Sequence, residues 1–342
     1  MIRFESDYLE GALPQIMYRL MSTNFEQTAG YGCDPYCEAA RELIKKECAA
    51  PDADIHFLVG GTQTNMTVIA AALRPHQGVL AAETAHIEAH ETGAIEATGH
   101  KVITLDSTDG KINAAQVEDY VLRHRADESF EHIVQPAMVY ISQPTETGTV
   151  YTLPELEELS AVCRRLGILL YVDGARLACA LACGGTPKLP DLARACDVFY
   201  IGGTKHGTLF GEAVVIQNDA LKKDFRYIIK QHGGMLAKGR LLGLQFDELF
   251  SDGSYYEVGR NEVRLAQKIA DAFKKKGIEL YYDSPTNQIF PVLSDEQIKK
   301  LSENYSFSVQ SKTPGGTVTR FCTSWATTDA VADKLIKDIE EL

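Results

Sequence analysis

The chain has 342 residues, 45% hydrophobic and 24% charged, with a formal net charge of −13; it is long enough to bury a large core, in two domains or in one with an appendage. No basic run offsets that charge, which argues against nucleic acid and anionic membrane as partners. Met1 to Gly11 lacks the basic and apolar regions of a signal peptide, no apolar run approaches the ~18 residues of a membrane span, and none of the eight cysteines forms a Cys-x-x-Cys, so a cytoplasmic protein with reduced thiols is expected.

Near the start, Ser6-Asp7 reads as a common helix-start pair. A helix follows from Pro14, with Ile16, Met17, Leu20 and Met21 on one face. Tyr31-Gly32-Cys33-Asp34-Pro35 leads into a second helix, Tyr36–Ala49, for which Asp-Pro is an ordinary start. Ile55–Val59 is a strand, and Gly60-Gly61-Thr62-Gln63 turns into a helix that continues to Leu73. Two glycines and a hydroxyl opening a helix make a site for a phosphate dianion, because free amides and the positive dipole end point at it. The spacing is neither G-x-G-x-x-G nor GxxxxGK[ST], which excludes the dinucleotide and P-loop readings.

Val79–Ala82 is the next strand, and Glu83-Thr84-Ala85-His86 begins a helix. His86, His90 and Glu91 share a face, but residue 87 is Ile where a zincin needs Glu, so no metal is expected. Strand Val102–Asp106 and helix Asn113–Arg125 follow; strand Ala137–Ser142 ends at Gln143-Pro144-Thr145-Glu146. Pro154–Leu166 is an amphipathic helix with Leu156, Leu159, Val162 and Cys163 inward.

Three apolar runs, Ile168–Val172, Val198–Ile201 and Ala213–Ile216, suit strands buried on both faces. The first ends in Asp173 and the second leads through Gly-Gly-Thr into Lys205, which aims a carboxylate and an ammonium at the crevice beyond the strand ends. A lysine there has a depressed pKa and becomes a candidate nucleophile. Helix Ala220–Gln231 comes next, and 240–276 is mostly helical with a break near Ser251–Ser254. Beyond it, strands are expected at Ile278–Tyr282, Phe290–Leu293, Phe307–Val309 and Thr317–Thr323, with helices at Asp295–Asn304 and from Asp329. Arg320 sits mid-strand, either solvated or forked onto a carboxylate.

Asp173-Gly174-Ala175-Arg176 followed by Thr204-Lys205 resembles the pyridoxal 5'-phosphate (PLP) enzymes of the aspartate-aminotransferase fold, fold type I, in their threonine aldolase and β-eliminating lyase branch. The resemblance implies an α/β large domain over 15–240 with a mostly parallel, helix-flanked sheet. It also implies a smaller α+β domain over 241–342 that takes in residues 1–14. Lys205 then holds PLP as a Schiff base, Asp173 keeps the ring nitrogen protonated, and His86 stacks on the ring and handles the substrate's β-hydroxyl proton. Gly61, Thr62 and Gln63 form the phosphate cup, with Thr204 among the cofactor's contacts. Gln143 stands where an Asn bonds the cofactor's phenolic oxygen, and Arg176 bonds that oxygen or steadies the Asp173 turn. Ser6 and Arg320 bind the substrate carboxylate, and Tyr31 belongs to a loop that reaches the neighbouring subunit's site. Two departures stand out: Thr145 replaces a histidine, and Leu236 replaces an arginine whose charge Lys230 or Lys238 would have to supply. The implied reaction is retro-aldol cleavage of a β-hydroxy-α-amino acid to glycine and an aldehyde, in a homodimer or homotetramer with its site at the subunit interface. The alternatives are β-elimination, transamination, or a catalytically silent phosphate-binding relative.

Overall fold

The computed structural model describes residues 1–342. Seven strands form the larger sheet: β1 (Asp54–Leu58), β2 (Gln77–Ala82), β3 (Lys101–Leu105), β4 (Gln135–Ser142), β5 (Leu169–Asp173), β6 (Val198–Gly202) and β7 (Glu212–Ile216). Their spatial order is β1-β7-β6-β5-β4-β2-β3. Strands β2 to β6 run parallel, while β7 is antiparallel to both neighbours, so β1 and β6 point the same way. Every residue of β6 and β7 is buried, which is why they read as unbroken apolar runs rather than alternating ones. The carboxyl ends of β1, β4, β5 and β6 therefore meet along one edge, the place where open α/β sheets take ligands.

The helices follow local signals. Leu153–Leu166 starts at a capping box of Thr152 and Glu155 and stops at Gly167, whose φ of 66° a residue with a Cβ would resist. Residues 219–231 form two short helices rather than one, because Asp224 takes a left-handed φ of 61°. In the first helix, Pro14–Ser22, Ile16 is fully buried, but Met17 and Met21 of the expected inward face are exposed, Met21 by 73%.

Two hydrophobic clusters result. One of 64 buried residues fills both faces of the large sheet. A second of 16 joins Phe4 to Leu265, Ile269 and Phe273 of the helix Ser254–Lys275, and to Phe321, Leu335 and Ile339. Leu242, Phe246, Leu249, Phe250 and Tyr255, on the small-domain side of the expected boundary, pack in the larger cluster. Each such fully buried side chain contributes roughly 1.5–3 kcal/mol.

The smaller sheet pairs β8 (Gln288–Ile289) and β9 (Val292–Leu293) with β11 (Gly316–Cys322), and β11 with β10 (Ser308–Thr313), all antiparallel. The strand expected at 278–282 shrinks to a single bridge between Leu280 and Pro291, since a proline has no N–H with which to extend a ladder. Ile2–Arg3 pairs in parallel with Tyr305–Ser306 and brings the N-terminus to this side of the molecule.

Candidate active site

Asp173 closes β5, directly opposite Ser142 at the end of β4. Its Oδ1 accepts from Tyr200 Oη at 2.5 Å and the Ala175 amide at 2.9 Å; its Oδ2 accepts from Tyr140 Oη at 2.5 Å and Asn65 Nδ2 at 3.1 Å. Four donors hold this buried negative charge in place. The turn that follows demands Gly174: a Cβ there would lie 1.9 Å from the Tyr200 carbonyl oxygen.

Asn65 extends this network. Its Nδ2 also donates to Glu91 Oε1 at 2.7 Å, its Oδ1 accepts from Tyr171 Oη at 2.6 Å, and the same Glu91 oxygen lies 2.7 Å from His86 Nδ1. Asp173 and His86 are thus linked through two side chains. Burial works against a charge on His86, but the Glu91 hydrogen bond and the charges of Asp173 and Glu91 prevail and raise its pKa.

The helix Gly61–Ala72 begins at the end of β1. Its first intrahelical bond runs from Thr64 N to Gly60 O, so the amides of Gly61, Thr62 and Gln63 stay free. Gly61 and Thr62 line a cavity of about 290 Å³ that Asp173, His86 and Lys205 also line. Burial, with the Arg176 charge, lowers the Lys205 pKa. Beside it, Thr204 Oγ1 donates to Glu212 Oε1 at 2.8 Å, and burial pushes the Glu212 carboxyl up to about 8.

An outer cavity shares Lys205, His86 and Arg176 with the inner one and is lined in addition by Arg320. Arg320 Nη2 donates to the Glu5 carbonyl at 3.2 Å, while its Nε is buried without a partner, as is Ser6 Oγ. Leaving a buried donor unmet costs about 1–3 kcal/mol, and Arg320, which lines the outer cavity together with Lys205, marks a seat for an anion there; Ser6 lines neither cavity. Arg176 gives Nε and Nη2 to Asp7 at 2.6 and 3.1 Å, so it anchors the segment that carries Ser6.

Two expectations, for Gln143 and for the Gln63 side chain, meet a different geometry. Gln143 does not line the cavity: its amide makes two bonds to the Tyr151 backbone, 2.8 Å from the N–H and 3.0 Å to the carbonyl. The Gln63 side chain likewise turns to Val59 N and His232 O, leaving only its amide at the helix start. Tyr31, half exposed with φ 61°, lies in a separate groove with Arg226 and Met235. Sequence reasoning missed Tyr140, Tyr171 and Tyr200, which read as apolar strand residues, and Asn65 and Glu91, whose roles have no local signature.

The chemistry of this donor set fits PLP: free amides for a phosphate, a buried lysine with a lowered pKa for an aldehyde, a fixed carboxylate for a ring nitrogen. Fold and site thus define the class, a PLP-dependent enzyme of fold type I. Thermus thermophilus aspartate aminotransferase shares the fold, with a TM-score of 0.72 at 14% identity over 100% of this chain and 91% of that one. Residues 4–294 match the β-eliminating lyase family, and the chain belongs to it. The low specificity L-threonine aldolase of Pseudomonas sp. (strain NCIMB 10558) is 32% identical over 343 residues, covering 98% of this chain and 96% of that protein. The structure of Leishmania major threonine aldolase is 43% identical with a TM-score of 0.96, covering 100% of this chain and 99% of that one.

Proposed function

We propose that this enzyme cleaves β-hydroxy-α-amino acids of the threonine type to glycine and an aldehyde by a retro-aldol reaction. The observation that carries the reading is its near-complete correspondence with the Leishmania threonine aldolase. When bound, PLP supplies the electron sink for the pair left at Cα as the Cα–Cβ bond breaks.

The residues divide the remaining work. Lys205 Nζ holds the cofactor's aldehyde carbon, and the amides of Gly61, Thr62 and Gln63 hold its phosphate. Asp173 sets the counter-charge for the ring nitrogen, and Tyr140, Tyr200 and Asn65 keep that carboxylate in place. His86, pinned by Glu91, would cover the cofactor's ring. Arg320 and Ser6 grip the substrate carboxylate, which fixes how the scissile bond lies against the ring. Arg176 holds Asp7, and through it places Ser6.

A homo-oligomer in the cytoplasm fits this reading. Tyr18, Met21, Phe25 and Tyr227 expose apolar surface, Phe25 by 95%, and Tyr31 lies outside its own chain's cavity. No helix is long and apolar enough to cross a membrane.

Purified enzyme incubated with threonine, serine and cysteine tests the reaction. Glycine and acetaldehyde from threonine are expected; pyruvate from serine or cysteine as the main product would make it a β-eliminating enzyme. Lys205→Ala is expected to lose both turnover and the cofactor's visible absorbance.

A further inference from the structure

We propose that Glu146 is the catalytic residue that takes the proton from the substrate's β-hydroxyl. This rests on the lyase reading above and adds to it a group that the sequence motifs do not single out.

Glu146 follows β4 and is held through one oxygen only. Oε1 accepts from Ser142 Oγ at 2.7 Å and from the His86 amide at 3.0 Å. Oε2 has no protein partner and is not sealed off; Glu146 lines both the inner cavity with Asp173 and the outer one with Arg320. A free carboxylate oxygen thus stands where the two cavities join. Its neighbour Thr145 cannot do this work, being buried with its hydroxyl on Thr147 and Thr149. His86 is the rival, but its Nδ1 is committed to Glu91 at 2.7 Å, and the Glu91 hydrogen bond with the charges of Asp173 and Glu91 shifts its pKa upward.

The charges around Glu146 are Asp173, Lys205, Arg176 and Glu212 of the inner cavity, His86 and Glu91 on the segment after β2, and Glu83, His90 and Arg320 of the outer cavity. Burial raises its pKa and the Asp173 charge adds to the rise, against the Ser142 hydrogen bond and the His86 charge. A carboxyl that titrates closer to neutrality than a free one is a better base at working pH.

The step balances. The β-hydroxyl O–H bond breaks and its proton passes to Glu146 Oε2. The oxygen's pair becomes the carbonyl of the departing aldehyde. The Cα–Cβ bond breaks with its pair left at Cα, which gains one proton to complete glycine, and Glu146 returns its proton to solvent.

Glu146→Gln is nearly isosteric and can still accept from Ser142 and the His86 amide, so a structural role would survive it. We expect kcat for threonine to fall about 100-fold or more. Exchange of the glycine α-proton in deuterated water, which needs the cofactor but no β-hydroxyl, should stay near the wild-type rate, and the cofactor's visible absorbance should be unchanged. Infrared difference spectra of wild type minus variant, without substrate, should show a protonated-carboxyl band whose titration coincides with the acidic limb of kcat/KM. Ser142→Ala removes a hydrogen bond that lowers the Glu146 pKa, so this limb should move to higher pH. Unchanged cleavage in Glu146→Gln overturns the proposal, as does equal loss of cleavage and glycine exchange. If Glu146→Gln fails to fold, an acidic limb that does not move in Ser142→Ala overturns it too. Wild-type enzyme with neither cofactor absorbance nor glycine exchange would instead sink the lyase reading itself.

Discussion

Arg176 and Asp7 form a buried two-point ion pair, Nε to Oδ2 at 2.6 Å and Nη2 to Oδ1 at 3.1 Å, that ties the N-terminal segment to the turn after Asp173. Asn287 Nδ2 completes the shell of Asp7 at 2.9 Å. Burial by itself would raise the Asp7 pKa; the charges of Arg176 and Lys205, with the hydrogen bonds, hold it well below the ordinary carboxylate range.

Asp7→Asn leaves the Arg176 charge buried and unpaired, a loss of about 3–5 kcal/mol. It also loosens Ser6, so KM for the amino acid should rise in whatever protein remains folded. Because the folded-state pKa is depressed, the pair stabilises fully above the free-Asp range and is lost as pH falls toward the lower folded value. Denaturant melts from neutral to acid pH should therefore show the gap between wild type and variant closing at the acid end.

Arg320→Lys keeps the charge but loses the planar fork, and Ser6→Ala removes a buried donor with no partner inside the protein. Each should reduce kcat/KM for threonine by ~10–100-fold, equivalent to losing a charge-assisted hydrogen bond of ~1.5–3 kcal/mol. Cofactor affinity should hold in both. A loss of cofactor equal to the loss of kcat/KM would move these residues from the substrate to the cofactor.

Gly174→Ala asks the Tyr200 carbonyl, 1.9 Å from the new Cβ, to move. The obstacle is backbone in a central strand, so the variant should lose about 1–3 kcal/mol or more. The strands that carry Asp173 and Lys205 are pushed apart at the same time. Cofactor titration followed by absorbance should show affinity falling along with the thermal midpoint.

His56 packs against Phe225 with ring centroids 5.0 Å apart and planes tilted by 49°, and burial, helped by the charges of Arg41 and Arg226, pushes its pKa down to about 3. The unfolded chain takes a proton on this residue near the ordinary His value of about 6.5, and the folded chain does not. Between those values stability should fall with acidification by up to ~1.4 kcal/mol per pH unit from this residue alone. Comparing wild type with His56→Gln in denaturant melts across that range isolates the slope; parallel curves would contradict it.

Much of the architecture is legible without coordinates, because its signals are local. Unbroken apolar runs mark β5, β6 and β7, a Thr-x-x-Glu box opens the helix at Leu153, and paired glycines announce the helix start at Gly61. Asp173 and Lys205 are visible for the same reason, the one a charge straight after an apolar run and the other a charge one Gly-Gly-Thr turn beyond the next.

What the tertiary structure alone decides is where each side chain finds its partner. Asp7 reads as part of a helix-start pair until Arg176, 169 residues later, arrives beside it; Gln143 reads as a cofactor ligand until its amide closes on the Tyr151 backbone. Tyr140 and Tyr200 look like ordinary strand aromatics, and become Asp173 donors only because the order β4-β5-β6 sets them on either side of its carboxylate. A helix start or a buried strand is set by neighbours along the chain. A hydrogen-bond partner is set by packing, which brings distant segments together and leaves no trace in the spacing of either.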